Sequence, residues 1–163
     1  MYFWSVYLHI LMAMFWIGGM LFTVAVLVPL SRDKMFENRR GELFKKAGTI
    51  FSRISWIIFL LMIVTGITAL FGMGYSVFDL TSSHFWGSGY GRALMGKLHI
   101  FALVLILSGI HDFWLGPKAA RLMDTEPENK ITLRFRKASS WVGRFNLLLG
   151  LIILYYAVSL VRG

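Results

Sequence analysis

Residues 2–30 read YFWSVYLHILMAMFWIGGMLFTVAVLVPL, an apolar run without a single Asp, Glu, Lys or Arg. A helix rises about 1.5 Å per residue, so roughly 20 apolar residues cross the hydrocarbon core of a bilayer. The run is therefore predicted to be a transmembrane helix. Because its start lacks a basic segment and no small-residue cleavage site follows, we expect it to be retained rather than removed as a signal peptide.

The remaining composition predicts three more spans. The chain has 163 residues, of which 57% are hydrophobic and 15% charged, with a mean hydropathy of +0.66. Globular proteins use roughly 45–50% apolar and about 25% charged residues, so the excess apolar surface must face lipid. The spans are expected at about 2–30, 50–75, 93–115 and 141–160, the third ended by Gly116-Pro117 because proline cannot continue a helix. Residues 1–163 are predicted to form a single membrane domain, an all-α, up-down-up-down four-helix bundle.

The positive charge predicts the orientation. The net charge is +9, and the loops at 31–49 and 118–140 hold six Lys or Arg each, whereas 76–91 holds none. By the positive-inside rule the two basic loops face the cytoplasm and both termini lie outside. We predict a multi-pass protein of the cell inner membrane whose partner is the lipid bilayer. No nucleic acid is expected, since the basic residues are not interleaved with exposed aromatics on one surface.

The chain contains no cysteine. This excludes disulfides, iron–sulfur clusters, thiolate metal sites and covalently attached c-type haem.

Polar residues within the predicted spans are candidates for function, because each is costly in lipid and usually faces the bundle interior. They are His9, Arg53, Lys97, His99, His111, Asp112, Arg144 and Asn146.

Depth and helical phase sort these candidates. His9 and His99 lie at similar distances from the outer ends of their helices, whereas His111 is about 18 Å deeper than His99. Lys97 and His99 are about 200° apart around one helix, so they cannot point the same way. Two inward-facing sets remain open: His9 with His99, or His9 with Lys97 and His111.

Two histidines at one depth favour a b-type haem held without covalent attachment. His9 and His99 would be its axial ligands, Trp16 would wall the slot, and Lys97 or Arg92 would pair with the propionates. Such a protein would bind haem or a porphyrin, act in electron transfer or haem metabolism with a redox partner, and form a homodimer if His99 serves across an interface.

Copper is the rival ligand, because imidazole and thioether groups suit it. His84, Met73 and Met95 lie near the same predicted face, and His111 is a further candidate metal ligand. Structural roles compete with both interpretations: a membrane histidine often bonds a neighbouring hydroxyl or carbonyl, Lys97 can snorkel to the interface, and methionines fill cores.

Several segments resemble a known family. Leu8-His9-Ile10, Trp16-Ile17-Gly18-Gly19, Lys97-Leu98 and Arg144-Phe145-Asn146 are similar to stretches in membrane proteins of the copper-resistance D type and in the related HemJ protoporphyrinogen oxidases. The HemJ resemblance implies b-type haem and an oxidoreductase in which His9 and Lys97 are the essential pair, with Lys97 as the catalytic group.

The sequence departs from that pattern in two places. The interval from Lys97 to His111 is longer than the HemJ pattern, and His99 is an addition. Haem binding is compatible with either arrangement, whereas the oxidase assignment depends on the HemJ pattern. Three hypotheses therefore stand: a haem carrier, a HemJ-like oxidase and a copper-binding or copper-transporting protein.

Overall fold

The computed structural model describes residues 2–36 and 39–162, and in this part of the chain all regular structure is helical. The fold class is therefore the predicted all-α bundle. The helices are α1 (Tyr2–Leu30), α2 (Arg40–Gly72), α3 (Val77–Thr81), α4 (Ser83–Gly87), α5 (Gly89–Thr125) and α6 (Lys130–Arg162). Of the described helices, α1, α2, α5 and α6 are long and apolar enough to cross a membrane.

The four long helices pack in a ring. Helix α1 packs along α2, and α5 packs along α6. The ring closes where α6 touches α1 and where the last turns of α5 pack against α2. We call the end that carries the α1–α2 and α5–α6 connections the basic end, and the end that carries Tyr2 and the α2–α5 connection the terminal end.

The third span does not end at Gly116-Pro117, and that prediction was wrong. A π-helical turn over His111–Leu115 precedes the proline, and the helix continues to Thr125. The wider turn lets Gly116 N–H donate to His111 O, so the ring and missing N–H of Pro117 are accommodated. Pro29 in α1 follows an equivalent π turn over Thr23–Leu27.

Two helices extend beyond the predicted spans. Helix α2 starts at Arg40 rather than residue 50, and α6 starts at Lys130 rather than residue 141. Their first turns are charged and solvated, with pairs such as Lys46 Nζ and Glu42 Oε1 at 2.7 Å stabilising the helix outside the apolar region. Helix α2 ends at Gly72, and Gly74 at φ 92° turns the chain away in a conformation that favours glycine.

Aromatic side chains fill the middle of the bundle. The rings of Trp16 and Phe59 are 5.2 Å apart, and those of Phe59 and Phe101 are 5.9 Å apart. Val104 is 0% exposed beside them. Gly150 lets α6 approach α1, since a Cβ there would lie 3.1 Å from Trp16 Cζ3. Most other large apolar side chains of the four spans face outward, as expected for contact with lipid.

Candidate functional site

One polar site joins three of the spanning helices in the terminal half of the bundle. His9 on α1 lies between Thr65 on α2 and Lys97 on α5. His9 Nδ1 is 2.9 Å from Thr65 Oγ1, and His9 Nε2 is 3.4 Å from Lys97 Nζ. His9 and Lys97 are partly buried, and Thr65 is 9% exposed.

The hydrogen bonds define the tautomer of His9. Thr65 Oγ1 donates its proton to Leu61 O at 2.7 Å, so it accepts from His9 Nδ1–H. His9 Nε2 then carries the ring's lone pair and faces the Lys97 ammonium. A metal-binding histidine typically has this arrangement, with one ring nitrogen donating to a fixed acceptor and the other free to bind the metal.

Gly66 leaves room for the imidazole. A Cβ at this position would lie 3.6 Å from His9 Cε1, so alanine would fill the contact and a larger side chain would push the ring away from Thr65. The helix α2 therefore positions His9 both by a hydrogen bond and by a small residue beside it.

Two methionines occur within one helical turn of the residues that form this site. Met12 is one turn beyond His9 on α1 and packs against the core, while Met62 is one turn before Thr65 on α2 and is 6% exposed. Among the residues that the structure describes, no three His, Cys, Asp or Glu side chains come together as a metal site. The helices that hold His9 therefore offer one imidazole and two thioethers at similar depth, and ligands of these types suit Cu(I) rather than a hard cation.

One of the two open arrangements requires His99 to face His9. In the structure His99 does not face His9. It is exposed, and its Nδ1 lies 2.8 Å from Met95 O of its own helix. The physical reason is helical phase: Lys97 points to His9, and a residue two positions later points about 200° away. The structure brings His9 together with Lys97, not with His99.

Two other candidate residues lie elsewhere. Arg92 is exposed and its Nη1 donates to Gly87 O, where it covers the end of α4. His111 is nearer the basic end, with Nδ1 3.0 Å from Asp112 Oδ1 and Nε2 3.0 Å from Ser139 Oγ. His84 and Met73 are exposed around the α2–α5 connection.

Trp16 is buried, as expected for a residue predicted to line a haem pocket. Its neighbours, however, fill the space beside it. Phe59 is 1% exposed and Val104 is 0% exposed. A haem between α1, α2 and α5 would have to displace these packed side chains. A metal ion on His9 Nε2 would have to displace only the Lys97 ammonium, whose Nζ lies 3.4 Å from that nitrogen.

A comparison with known families gives independent information on this chain. Residues 45–160 match the family model of copper resistance protein D. The chain belongs to the copper resistance protein D family. This supports the copper-resistance part of the resemblance seen in the sequence, while the HemJ part stays a prediction.

This copper resistance protein D family member also has a relative of nearly its own length. An uncharacterized protein of Aquifex aeolicus (strain VF5) is 30% identical over 158 residues, which cover 96% of this chain and 93% of the relative. No solved structure matches the chain significantly. The family match includes Thr65 and Lys97 but begins after His9, so the role of His9 rests on the geometry.

Sequence reasoning missed Thr65 because it looked only at ionisable residues. A hydroxyl in a membrane helix costs little to bury, since it bonds its own helix carbonyl, and it therefore gives a weak signal. The signal that could have found it is the pair Thr65-Gly66 on an otherwise apolar stretch, where a hydrogen-bonding group adjoins a residue that allows close approach.

Proposed function

We propose that this protein is a copper-handling integral membrane protein that binds Cu(I) in the terminal half of its bundle. His9 Nε2 is the nitrogen ligand, and the thioethers of Met12 and Met62 are the sulfur ligands. The observation that carries the proposal is the orientation of His9, whose Nδ1–H is held by Thr65 while its Nε2 lone pair faces the interior. Family membership supports it independently.

Lys97 makes the binding of copper at this site reversible. Its Nζ lies 3.4 Å from the nitrogen that would bind copper, so the ammonium and the metal compete for one lone pair. The ammonium also repels a bound Cu(I) by its charge, and this repulsion is strong where water is excluded. Copper is therefore held weakly enough to be passed on, as transport requires.

Titration of the purified protein with Cu(I) and a chromophoric chelator tests the proposal. We expect one copper per chain, lost in His9→Ala and retained in His99→Ala. The second variant is the matched control, because it removes the same side chain from an exposed position on α5. Equal copper binding by His9→Ala and the wild type would overturn the assignment.

Lys97→Met tests the competition. Removing the ammonium and adding a thioether should tighten Cu(I) binding and slow its release to the chelator. A weaker site in Lys97→Met would show that the lysine holds the metal or a ligand rather than opposing it.

Haem is the outcome that would replace copper. Protein extracted in mild detergent from haem-producing cells would then show a Soret band and a haem b pyridine-haemochrome spectrum that disappear in His9→Ala. Stoichiometric haem together with absence of copper binding would favour the carrier or oxidase hypothesis.

A further inference from the structure

A layer of polar side chains lies in the bundle on the basic side of the aromatic core. Ser55 is one turn from Phe59 on α2, Ser108 is one turn from Val104 on α5, and Asn146 is one turn from Gly150 on α6. Ser55, Ser108 and Asn146 are 3%, 5% and 6% exposed. We call these three residues the polar layer. The copper site proposed above does not use it.

The polar layer is only partly satisfied by protein groups. Asn146 Nδ2 donates to Ser108 Oγ at 2.9 Å. Asn146 Oδ1 and Ser55 Oγ are fully buried, and neither forms a hydrogen bond with the described residues. A buried polar atom without a partner is destabilising, and more so within a bilayer, where lipid offers no replacement.

A donor without a protein acceptor adjoins the layer. Trp56 Nε1–H is also buried and unpaired. Its indole packs against α5 at Gly109, the residue after Ser108, where a Cβ would lie 3.9 Å from Trp56 Cζ2. The unpaired set therefore contains one acceptor, one hydroxyl and one donor.

This mixture of donors and acceptors selects the ligand. A metal cation would be repelled by the Asn146 amide hydrogens and the Trp56 N–H, and the layer contains no carboxylate to hold it. A water molecule both donates and accepts, and buried water typically makes about three hydrogen bonds to groups that are otherwise unpaired. The chemistry fits water.

The surroundings indicate the side from which water enters. Toward the terminal end the layer is closed by Phe59 and Val104. Toward the basic end, His111 lies one turn beyond Ser108 on α5 and bonds Ser139, about two turns from Asn146 on α6; His111 and Ser139 are both only partly buried. Water thus has a polar route from the basic end and an apolar barrier beyond the layer.

We propose that the polar layer binds water inside the membrane and that this water exchanges with solvent at the basic end past His111 and Ser139. The bundle is then hydrated in its basic half and dry around Phe59 and Val104.

Radiolytic hydroxyl-radical footprinting of the protein in lipid nanodiscs tests the proposal, because radicals formed from bound water oxidise the side chains beside it. Trp56 is partly exposed whereas Trp16 is 4% exposed, so the oxidation rate of Trp56 is compared between the wild type and variants of the polar layer rather than with Trp16. Asn146→Leu removes the acceptor and should slow oxidation of Trp56 several-fold.

Ser55→Ala provides a second variant that keeps the size of the side chain and removes one oxygen, so it is expected to fold even where the leucine disturbs packing. It should also slow oxidation of Trp56. A rate of Trp56 oxidation that is the same in the wild type, Asn146→Leu and Ser55→Ala would show that the layer holds no water.

Discussion

Replacing Thr65 by valine isolates the hydrogen bond that orients His9. Valine has the shape of threonine but cannot accept the Nδ1–H, which Thr65 Oγ1 now receives at 2.9 Å. The hydrogen bond that Thr65 Oγ1 donates to Leu61 O lies within α2. When that bond is lost, Leu61 O still accepts its backbone hydrogen bond in the helix. The substitution therefore acts chiefly on the imidazole.

The size of the effect follows from two independent figures. A donor left without its acceptor in a partly buried site costs about 1–3 kcal/mol. Loss of the group that orients a metal-binding histidine weakens metal affinity by about 10–100-fold, which corresponds to roughly 1.4–2.8 kcal/mol. We expect Thr65→Val to bind Cu(I) about 10–100-fold more weakly, as measured by chelator competition.

Thr68→Val is the matched control for this experiment. Thr68 lies one turn along on the same helix, bonds Ser5 Oγ at 3.0 Å and is exposed, so the same chemical change there should leave copper affinity within about twofold. If Thr65→Val and Thr68→Val bind copper equally well, the hydrogen bond to Thr65 does not prepare His9 for the metal.

Three further predictions concern packing, pH and topology. Gly41→Ala places a Cβ against backbone of α5 and should destabilise the fold by about 1–3 kcal/mol, whereas Gly48→Ala on the same helix meets nothing within 4 Å and should be neutral or stabilising; melting in detergent compares them. Hydrogen bonds from the Ser76 hydroxyl and N–H hold the pKa of Asp79 below its usual value, so its capping contribution is present above pH 3.8 and is lost as the pH falls through the lower folded-state pKa. The protection factor of the Ser76 amide, which corrects for the intrinsic pH dependence of exchange, should fall over this pH range in the wild type and stay constant in Asp79→Asn. A reporter fused at Gly163, which lies outside the described residues, should read as extracytoplasmic; cytoplasmic activity with an intact chain would reverse the predicted orientation.

The number and order of the spanning helices could be predicted because apolar length alone decides which segments cross a bilayer. The residues at which these helices begin and end could not be predicted in this way. Hydropathy detects only the part of a helix that lies in lipid. The first turns of α2 and α6, which begin at Arg40 and Lys130, are charged and lie outside that part. The continuation through Pro117 depends on a π turn, a backbone adjustment that leaves no composition signal.

The candidate site could be predicted in part. Depth and phase correctly separated Lys97 from His99, but they left two inward sets open because the rotation of a helix about its axis is fixed only by its neighbours. The first part of α5 packs along α6, with Lys97 turned toward His9 and His99 exposed. The predicted roles of Arg92 and His111 in binding a cofactor stay predictions, since neither contacts His9 through a described hydrogen bond.

X-ray absorption at the copper edge of the Cu(I)-loaded protein tests the central claim most directly, because it reports the atoms bound to the metal. The account predicts one imidazole together with sulfur scatterers, all lost in His9→Ala and unchanged in His99→Ala. A copper environment that contains no imidazole, or one that is identical in His9→Ala, would contradict the assignment of His9 as the copper ligand.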